Sequence, residues 1–261
     1  MADNELIPDV LITAAVAGEI GPLLDQVRFP VEQSIGRRSL IRGFLNDIPL
    51  RLVVSGPGLV NTAQALTAVI ESGRPALVIQ TGCAGAFRTD GRAIGDIGLA
   101  VEEIDAQLGL EAADDGISPE PLPFPMVTTD GVRFANRYPL NASLVDAAVN
   151  TLNNRLPPKS RGVFKGTFLT VSTITTTDRR ADRLYRRFSA CMESMEGSAG
   201  AHVALHYGIP FLEVRAASNF VGRRDRKSWD LDLAFDRAAR AVSTLIRDPG
   251  FIQPILKGSL P

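Results

Sequence analysis

The residues best equipped to do chemistry cluster late in the chain. Within CMESMEGSAGAHVALHYGIPFLEVRAASN, residues 191–219, they are Glu196, Glu213, Arg215 and Asn219. Phe211 to Ala217 is an apolar run of strand length, interrupted by Glu213 and Arg215. Those two lie two apart, and so on one face of the strand. A charge buried in a strand costs free energy unless it is paired or used. Glu196 precedes Ser198 to Tyr207, whose residues favour or tolerate helix, with Gly208 and Pro210 as the stop. It therefore stands at a helix mouth, where orphan N–H groups and the macrodipole favour a carboxylate. One short unit can present a carboxylate, a guanidinium and an amide near a strand's C-terminal end, where open α/β sheets bind ligands. Spacing alone leaves two readings open: a structural ion pair with Glu196 as a cap, or a ligand site.

The rest of the chain supplies the frame. Val10 to Val16 reads as a central strand buried on both faces. Glu19 follows at a strand-to-helix junction, with a helix from about Gly21 and Pro22 in its first turn. Ser39 to Leu45 and Pro49 to Val54 read as a hairpin turned at Asn46-Asp47. Gly56-Pro57-Gly58 is a tight turn before a helix from Asn61 to Ser72. It lacks the Gly-Lys-Ser/Thr of a phosphate loop and the third glycine of the dinucleotide fingerprint. Ala76 to Thr81 is a buried strand running into Gly82-Cys83-Ala84-Gly85-Ala86, small residues that let backbone approach a ligand closely. Gly95-Asp96-Ile97 begins a further strand, with Asp96 as a structural hydrogen-bonder. Glu102 to Phe124 reads as a long loop. Asn141 caps a helix to about Leu152, Pro157-Pro158 breaks the chain, Gly162 to Ser172 is a strand, and Thr177 caps the next helix. Asp230 to Arg247 is an amphipathic helix. His202 and His206 share the helix after Glu196 and read as packing or capping residues.

Composition narrows the class. With 261 residues and 45% hydrophobic content the chain can build one large core, so a single α/β domain over 1–261 is expected. Lys and Arg total 28 against 29 Asp and Glu, which gives no pull toward nucleic acid or an anionic membrane. Two cysteines make no disulfide framework, and MADNELIPDV has no basic-then-apolar leader pattern, so a cytoplasmic location is expected. No apolar stretch is long enough to span a bilayer. The arginine run Arg179, Arg180, Arg183, Arg186 and Arg187 reads first as a solvated helix face, and a second run, Arg223 to Lys227, could close over a site.

Met195-Glu196, the small-residue helix and Arg215-Ala-Ala-Ser-Asn219 together resemble the purine nucleoside phosphorylase and nucleosidase superfamily, with matching blocks near Glu19, Ser55, Thr81 and Asp96. The resemblance is closest to the methylthioadenosine/S-adenosylhomocysteine nucleosidase branch, and within it to the futalosine hydrolases of menaquinone biosynthesis. It implies a three-layer α/β/α sandwich around a mixed, largely parallel twisted sheet. It implies no metal and no organic cofactor, and a homodimer or higher homo-oligomer in which Phe124 completes the neighbouring pocket. It also implies roles. Glu19 activates water, and Arg215 orients that water or Glu19. Met195 and Glu196 hold the ribose, and Cys83, Ala84, Gly85, Ser172 and Thr173 line the substrate. Where the resembling nucleosidases carry a serine that helps hold the water, this chain has Cys83, a much weaker donor. A phenylalanine that stacks on the base in those enzymes is replaced here by threonines.

Two departures point to the reaction. Superfamily phosphorylases carry an arginine where this chain has Gln80, and a neutral amide with Glu19 nearby disfavours phosphate, so water is the expected nucleophile. Adenine-specific relatives carry aspartate at the position of Asn219. An amide's NH₂ donates to a 6-keto oxygen while its oxygen accepts from a protonated N7, so hypoxanthine- or guanine-type bases are favoured. The expectation is hydrolysis of futalosine to hypoxanthine and dehypoxanthinyl futalosine, with Arg179 or Arg183 meeting the side group's carboxylate. The alternatives are a nucleosidase or phosphorylase for another purine nucleoside, of inosine, guanosine or methylthioadenosine type, and a non-catalytic nucleoside-binding protein.

Overall fold

Strands rich in apolar residues make a mixed sheet with helices on both faces. The computed structural model describes residues 8–88, 91–111, 119–157 and 162–260. In chain order come β1 (Val10–Ala14), α1 (Ala17–Leu24), β2 (Arg28–Ile35), β3 (Arg38–Leu45), β4 (Ile48–Val54), α2 (Leu59–Glu71), β5 (Leu77–Ala86) and β6 (Ile97–Asp105). Three short strands follow, β7 (Val127–Thr129), β8 (Val132–Phe134) and β9 (Arg137–Pro139). The chain continues with α3 (Ala142–Arg155), β10 (Val163–Thr170), α4 (Asp178–Phe188), β11 (Met192–Ser194) and α5 (Gly197–Tyr207). It ends in β12 (Phe211–Phe220), α6 (Leu231–Arg247) and α7 (Pro249–Leu256).

The principal sheet runs β11-β10-β6-β12-β5-β1-β4-β3-β2. Its centre is parallel: β1 pairs in parallel with β4 and β5, and β5 with β12. The β2–β3–β4 edge is antiparallel. At the other end β11 pairs with both β10 and β5, so the sheet curls back on itself. Alternation along the strands sorts side chains to two faces. Val10, Ile12, Leu212 and Val214 pack with residues of α1, α3, α6 and α7. Leu11, Val78 and Phe211 pack toward α2 and α5. Glu213 and Arg215 share the parity of Phe211, which aims them at the start of α5.

Most sequence expectations hold. β1 is buried throughout. Asn46 and Asp47 both have positive φ, 51° and 62°, the mirror-image turn that suits the twist of paired strands. Asn141 Oδ1 accepts from Leu144 N at 2.9 Å, Thr177 Oγ1 accepts from Arg180 N at 3.3 Å, and Gly208 ends α5 at φ 60°. Asp96 is a structural acceptor for the amides of Ala93 and Gly162. His202 is engaged with the Tyr138 hydroxyl, and His206 lies edge-on to the Tyr207 ring.

Three expectations change. α1 starts at Ala17, four residues before Gly21, and Pro22 lies inside it. The start is set by Glu19, whose carboxylate reaches back to the amides of Ala15 and Val16. The stretch expected to be loop from Glu102 is strand as far as Asp105, because β6 is held between β10 and β9. Within the remainder Leu110 bridges to Glu120, and residues 112–118 of that expected loop, like Pro158, lie outside the described residues. β2 has no counterpart in the sequence reading. It is an exposed edge strand with Pro30 at an irregularity, a tolerated place for proline. Among the described residues no helix is long and apolar enough to cross a membrane.

Candidate active site

The parallel strands point their C-terminal ends at one cavity of about 230 Å³. Its walls include Glu19 from α1, Cys83, Ala84 and Gly85 from β5, Met195 and Glu196 before α5, and Arg215 and Asn219 from β12. Chain segments far apart in sequence thus meet where the topology of an open α/β sheet places ligands.

Glu19 is held by three backbone amides. Its Oε2 accepts from Ala15 N at 2.9 Å and Val16 N at 3.1 Å, and its Oε1 accepts from Cys83 N at 2.9 Å. The last contact depends on Gly82, which sits at φ 141°. A Cβ there would fall 2.3 Å from Glu19 Oε1.

Glu196 is the residue immediately before α5 and is only 6% exposed. Its Oε1 accepts from Gly58 N at 2.9 Å, and its Oε2 from Arg215 Nη2 and Met195 N, both at 3.3 Å. The Gly56-Pro57-Gly58 turn is therefore part of the site: it presents an amide to the carboxylate, not to a phosphate.

Arg215 is 1% exposed. Its Nε donates to Glu213 Oε1 at 2.8 Å and its Nη1 to Cys83 O at 3.2 Å, besides the Glu196 contact. With the Gln80 amide turned so that its oxygen faces inward, that oxygen accepts from Arg215 Nη2 at 3.0 Å and Gly197 N at 3.1 Å. Burial works against the guanidinium's charge, but Glu213, Glu196 and Glu19 outweigh it and raise its pKa. Glu213 and Arg215 form the buried pair of the first reading, and the same arginine grips Glu196 beside the cavity. It reaches Glu196, where the sequence reading aimed it at Glu19 or its water.

Cys83 has its thiol pKa pushed up to about 12, first by burial and then by the Glu19 charge, against a smaller opposite pull from Arg215. A thiol so placed is a weak neutral donor, not a nucleophile. Asn219 Oδ1 accepts from Ser218 Oγ at 2.8 Å, and its Nδ2 donates to Phe220 O at 3.1 Å. Each end of the amide keeps further hydrogen-bonding capacity. A bulge between Ala217 and Asn219, with Ser218 as the extra residue, sets the direction of that side chain.

Four expected residues are not in the wall. Ser172 and Thr173 are exposed, and their amides donate to Gln107 Oε1, at 2.5 Å and 2.8 Å. Their neighbours Val171, Ile174 and Thr175 line the cavity in their place, because the chain turns at the end of β10. Arg183 is on the solvent face of α4. Arg179 is exposed as well. Of the arginine runs, it is Arg224 that reaches the wall, its guanidinium 5.4 Å from the centre of the Trp229 ring. The sequence reading also missed Phe220, Trp229 and Glu193. Glu193 fixes the wall by accepting from Thr175 N at 3.1 Å and Thr175 Oγ1 at 2.6 Å, and burial raises its pKa. The signal was present for Phe220, adjacent to Asn219, and for Trp229, the sole tryptophan. A larger cavity of about 450 Å³ shares Phe220 and Val221 with this one, but mixes Arg88 and Arg223 with Asp178, Asp182 and Asp225 and touches none of Glu19, Glu196 and Arg215.

Residues 9–248 match the phosphorylase superfamily, and the chain belongs to that family. It is similar to the futalosine hydrolase of Thermus thermophilus, 34% identical over 196 residues covering 75% of this chain and 80% of that protein. It is likewise similar to the futalosine hydrolase of Streptomyces coelicolor, 36% identical over 191 residues covering 72% and 70%. Among solved structures, the Helicobacter pylori 5'-methylthioadenosine/S-adenosylhomocysteine nucleosidase superimposes with TM-score 0.80 at 22% identity, over 93% of this chain and 99% of that one. The native futalosine hydrolase of Helicobacter pylori gives TM-score 0.79 at 21% identity, over 92% and 97%. These two share the fold: a mixed sheet between helical layers, as the resemblance implied.

Proposed function

We propose that this chain, acting as one domain over its 261 residues, hydrolyses the N-glycosidic bond of futalosine to hypoxanthine and dehypoxanthinyl futalosine, a step of menaquinone biosynthesis. The observation that carries the reading is the shared cavity: two buried glutamates, Glu19 and Glu196, and the Asn219 amide line the same space. Sequence similarity to futalosine hydrolases adds the substrate.

Cleavage of this bond builds positive charge on the ribose, so a carboxylate beside the sugar stabilises the transition state. Glu196, steadied by Gly58 N and Arg215, takes the ribose hydroxyls. Glu19, fixed by three amides, holds a water and accepts its proton as the water oxygen bonds to the anomeric carbon and the carbon–nitrogen bond breaks. The base leaves with a proton drawn from solvent. Asn219 donates to its 6-keto oxygen and accepts from N7–H. Arg224 on the cavity wall takes the place expected of Arg179 or Arg183 as partner for the side group's carboxylate.

A cytoplasmic homo-oligomer completes the proposal. Phe124, Met126 and Val132 are exposed apolar side chains in one stretch and suit a contact between copies. Sedimentation of the intact chain tests it, and a monomer at working concentration would exclude it.

Base release from futalosine, inosine and methylthioadenosine, with and without phosphate, is followed by mass spectrometry. Phosphate-independent release from futalosine is the expected result. Release only with phosphate, or preference for methylthioadenosine, rejects the assignment. Nucleoside bound without any release would favour a binding protein.

A further inference from the structure

Behind Arg215 lies a second carboxyl that the reaction as described does not use. Glu103 on β6 and Glu213 on β12 are each fully buried. A Cβ on Gly197 would lie 2.1 Å from Glu103 Oε1 and 2.5 Å from Glu213 Oε2, so the two oxygens face one another across the same glycine. Neither of these oxygens has a hydrogen-bond partner supplied by another residue. Two ionised carboxylates do not stay in such contact without a proton between them.

Donors decide where that proton sits. Glu19 is met by three backbone amides, and Glu196 by two amides and Arg215. Glu213 accepts from Arg215 Nε. Glu103 has only the Thr170 hydroxyl, at 2.7 Å. The groups facing the pair are Thr170 on β10 and Arg215 on β12, with the Gly197 backbone at the start of α5 packed against both carboxyls. Tyr138 on β9 and His202 on α5 are engaged with each other. Burial, then the Glu213 charge, drives the Glu103 pKa well above the usual carboxyl range.

We infer that Glu103 and Glu213 share a single proton, carried by Glu103 and donated from its Oε1 to Glu213 Oε2, and that the pair acts as a positioning device for Arg215. The proton lets Glu213 remain an acceptor for Arg215 Nε without repulsion from Glu103. Arg215 is then held so that its Nη2 meets Glu196. The chain of contacts runs Thr170, Glu103, Glu213, Arg215, Glu196, and only its last member lies beside substrate. The kinetic part rests on the nucleosidase reading. The protonation part does not.

Infrared difference spectroscopy of the intact protein tests the protonation directly. A protonated-carboxyl band is expected at neutral pH in the wild type and absent in Glu103→Gln. A wild type without that band, or a band that survives Glu103→Gln, overturns the inference. Kinetics test the positioning on whichever nucleoside is cleaved. Glu103→Gln, which mimics the protonated form, is expected to keep kcat within about twofold, whereas Glu213→Gln lowers kcat by about tenfold or more with KM nearly unchanged. Equal losses in both variants, or an unchanged kcat in Glu213→Gln, would reject it. If Glu213→Gln does not fold, the band and the Glu103→Gln kinetics still decide.

Discussion

Among the described residues two arginines are buried, in strands on either side of the sheet's centre, and they are used differently. Arg51 on β4 lies against Asp9, with Nε 2.6 Å from Oδ2, and donates to Val69 O at 3.2 Å and Gly73 O at 2.8 Å. Those partners close the end of α2 and the start of β1, and Arg51 itself lines neither of the two cavities described above. Arg215 on β12 has carboxylates on two sides and a cavity in front. Burial of a guanidinium is therefore not a sign of function. What distinguishes the second arginine is an excess of carboxyls around one cation, and a space into which one of those carboxylates faces. Such an arrangement stabilises little on its own, and it makes sense where negative charge is wanted near a ligand.

The comparison can be broken by truncating each arginine. Arg215→Met is expected to lower kcat by about a thousandfold and to cost about 3–5 kcal/mol, since it strands Glu213 and a contact to Glu196. Base release and denaturant unfolding measure the two effects, and near-normal turnover would place Arg215 in the same class as Arg51. Glu19→Gln should reduce turnover by about a hundredfold to ten-thousandfold and cost about 1–3 kcal/mol, because its amide oxygen can meet Ala15 N and Val16 N only by turning its NH₂ toward Cys83 N–H. Gly82→Ala sharpens the contrast, since its Cβ would displace Glu19 and its φ is unfavourable for a side chain. A loss of about tenfold or more in kcat with a cost of about 1–3 kcal/mol is expected. Asn219→Asp should leave stability nearly intact and move preference toward 6-amino bases, read from the ratio of kcat/KM for inosine and methylthioadenosine. The smallest effect is expected for Arg51→Met, which should cost about 1–3 kcal/mol in unfolding and leave kcat within about twofold. Cys83 provides an independent check. Its thiol loses its proton only near pH 12, so alkylation by iodoacetamide at pH 8 should be far slower than for a free cysteine.

The two regions also differ in how far the sequence revealed them. The hairpin at Asn46-Asp47 and the α5–β12 unit were legible because turn residues, stop signals and alternation act over a few residues. Glu196, Arg215, Asn219 and Glu19 were legible as charged or amide groups in apolar surroundings, and the resemblance supplied their company. Contacts that depend on distant segments were not. Nothing near Gly58 announces that its amide will meet a glutamate 138 residues away. Nothing in Val101-Glu102-Glu103 marks which glutamate turns inward. The start of α1 was misplaced because Pro22 looked like a first-turn residue, whereas the cap came from Glu19 inside the helix. Arg183 and Arg224 belong to similar basic runs, and only the path of the chain after β12 separates the solvent-facing one from the one on the cavity wall.

The bulge in β12 carries a consequence for how such proteins can diversify. Successive residues of a strand face opposite ways, so the additional Ser218 inverts the parity of everything beyond it. Losing one residue there would turn the Asn219 amide away from its present direction in a wall that Ser218 and Phe220 also line. A deletion or insertion in this strand thus re-aims the group that meets the leaving base in a single heritable event, a route separate from point changes at Asn219.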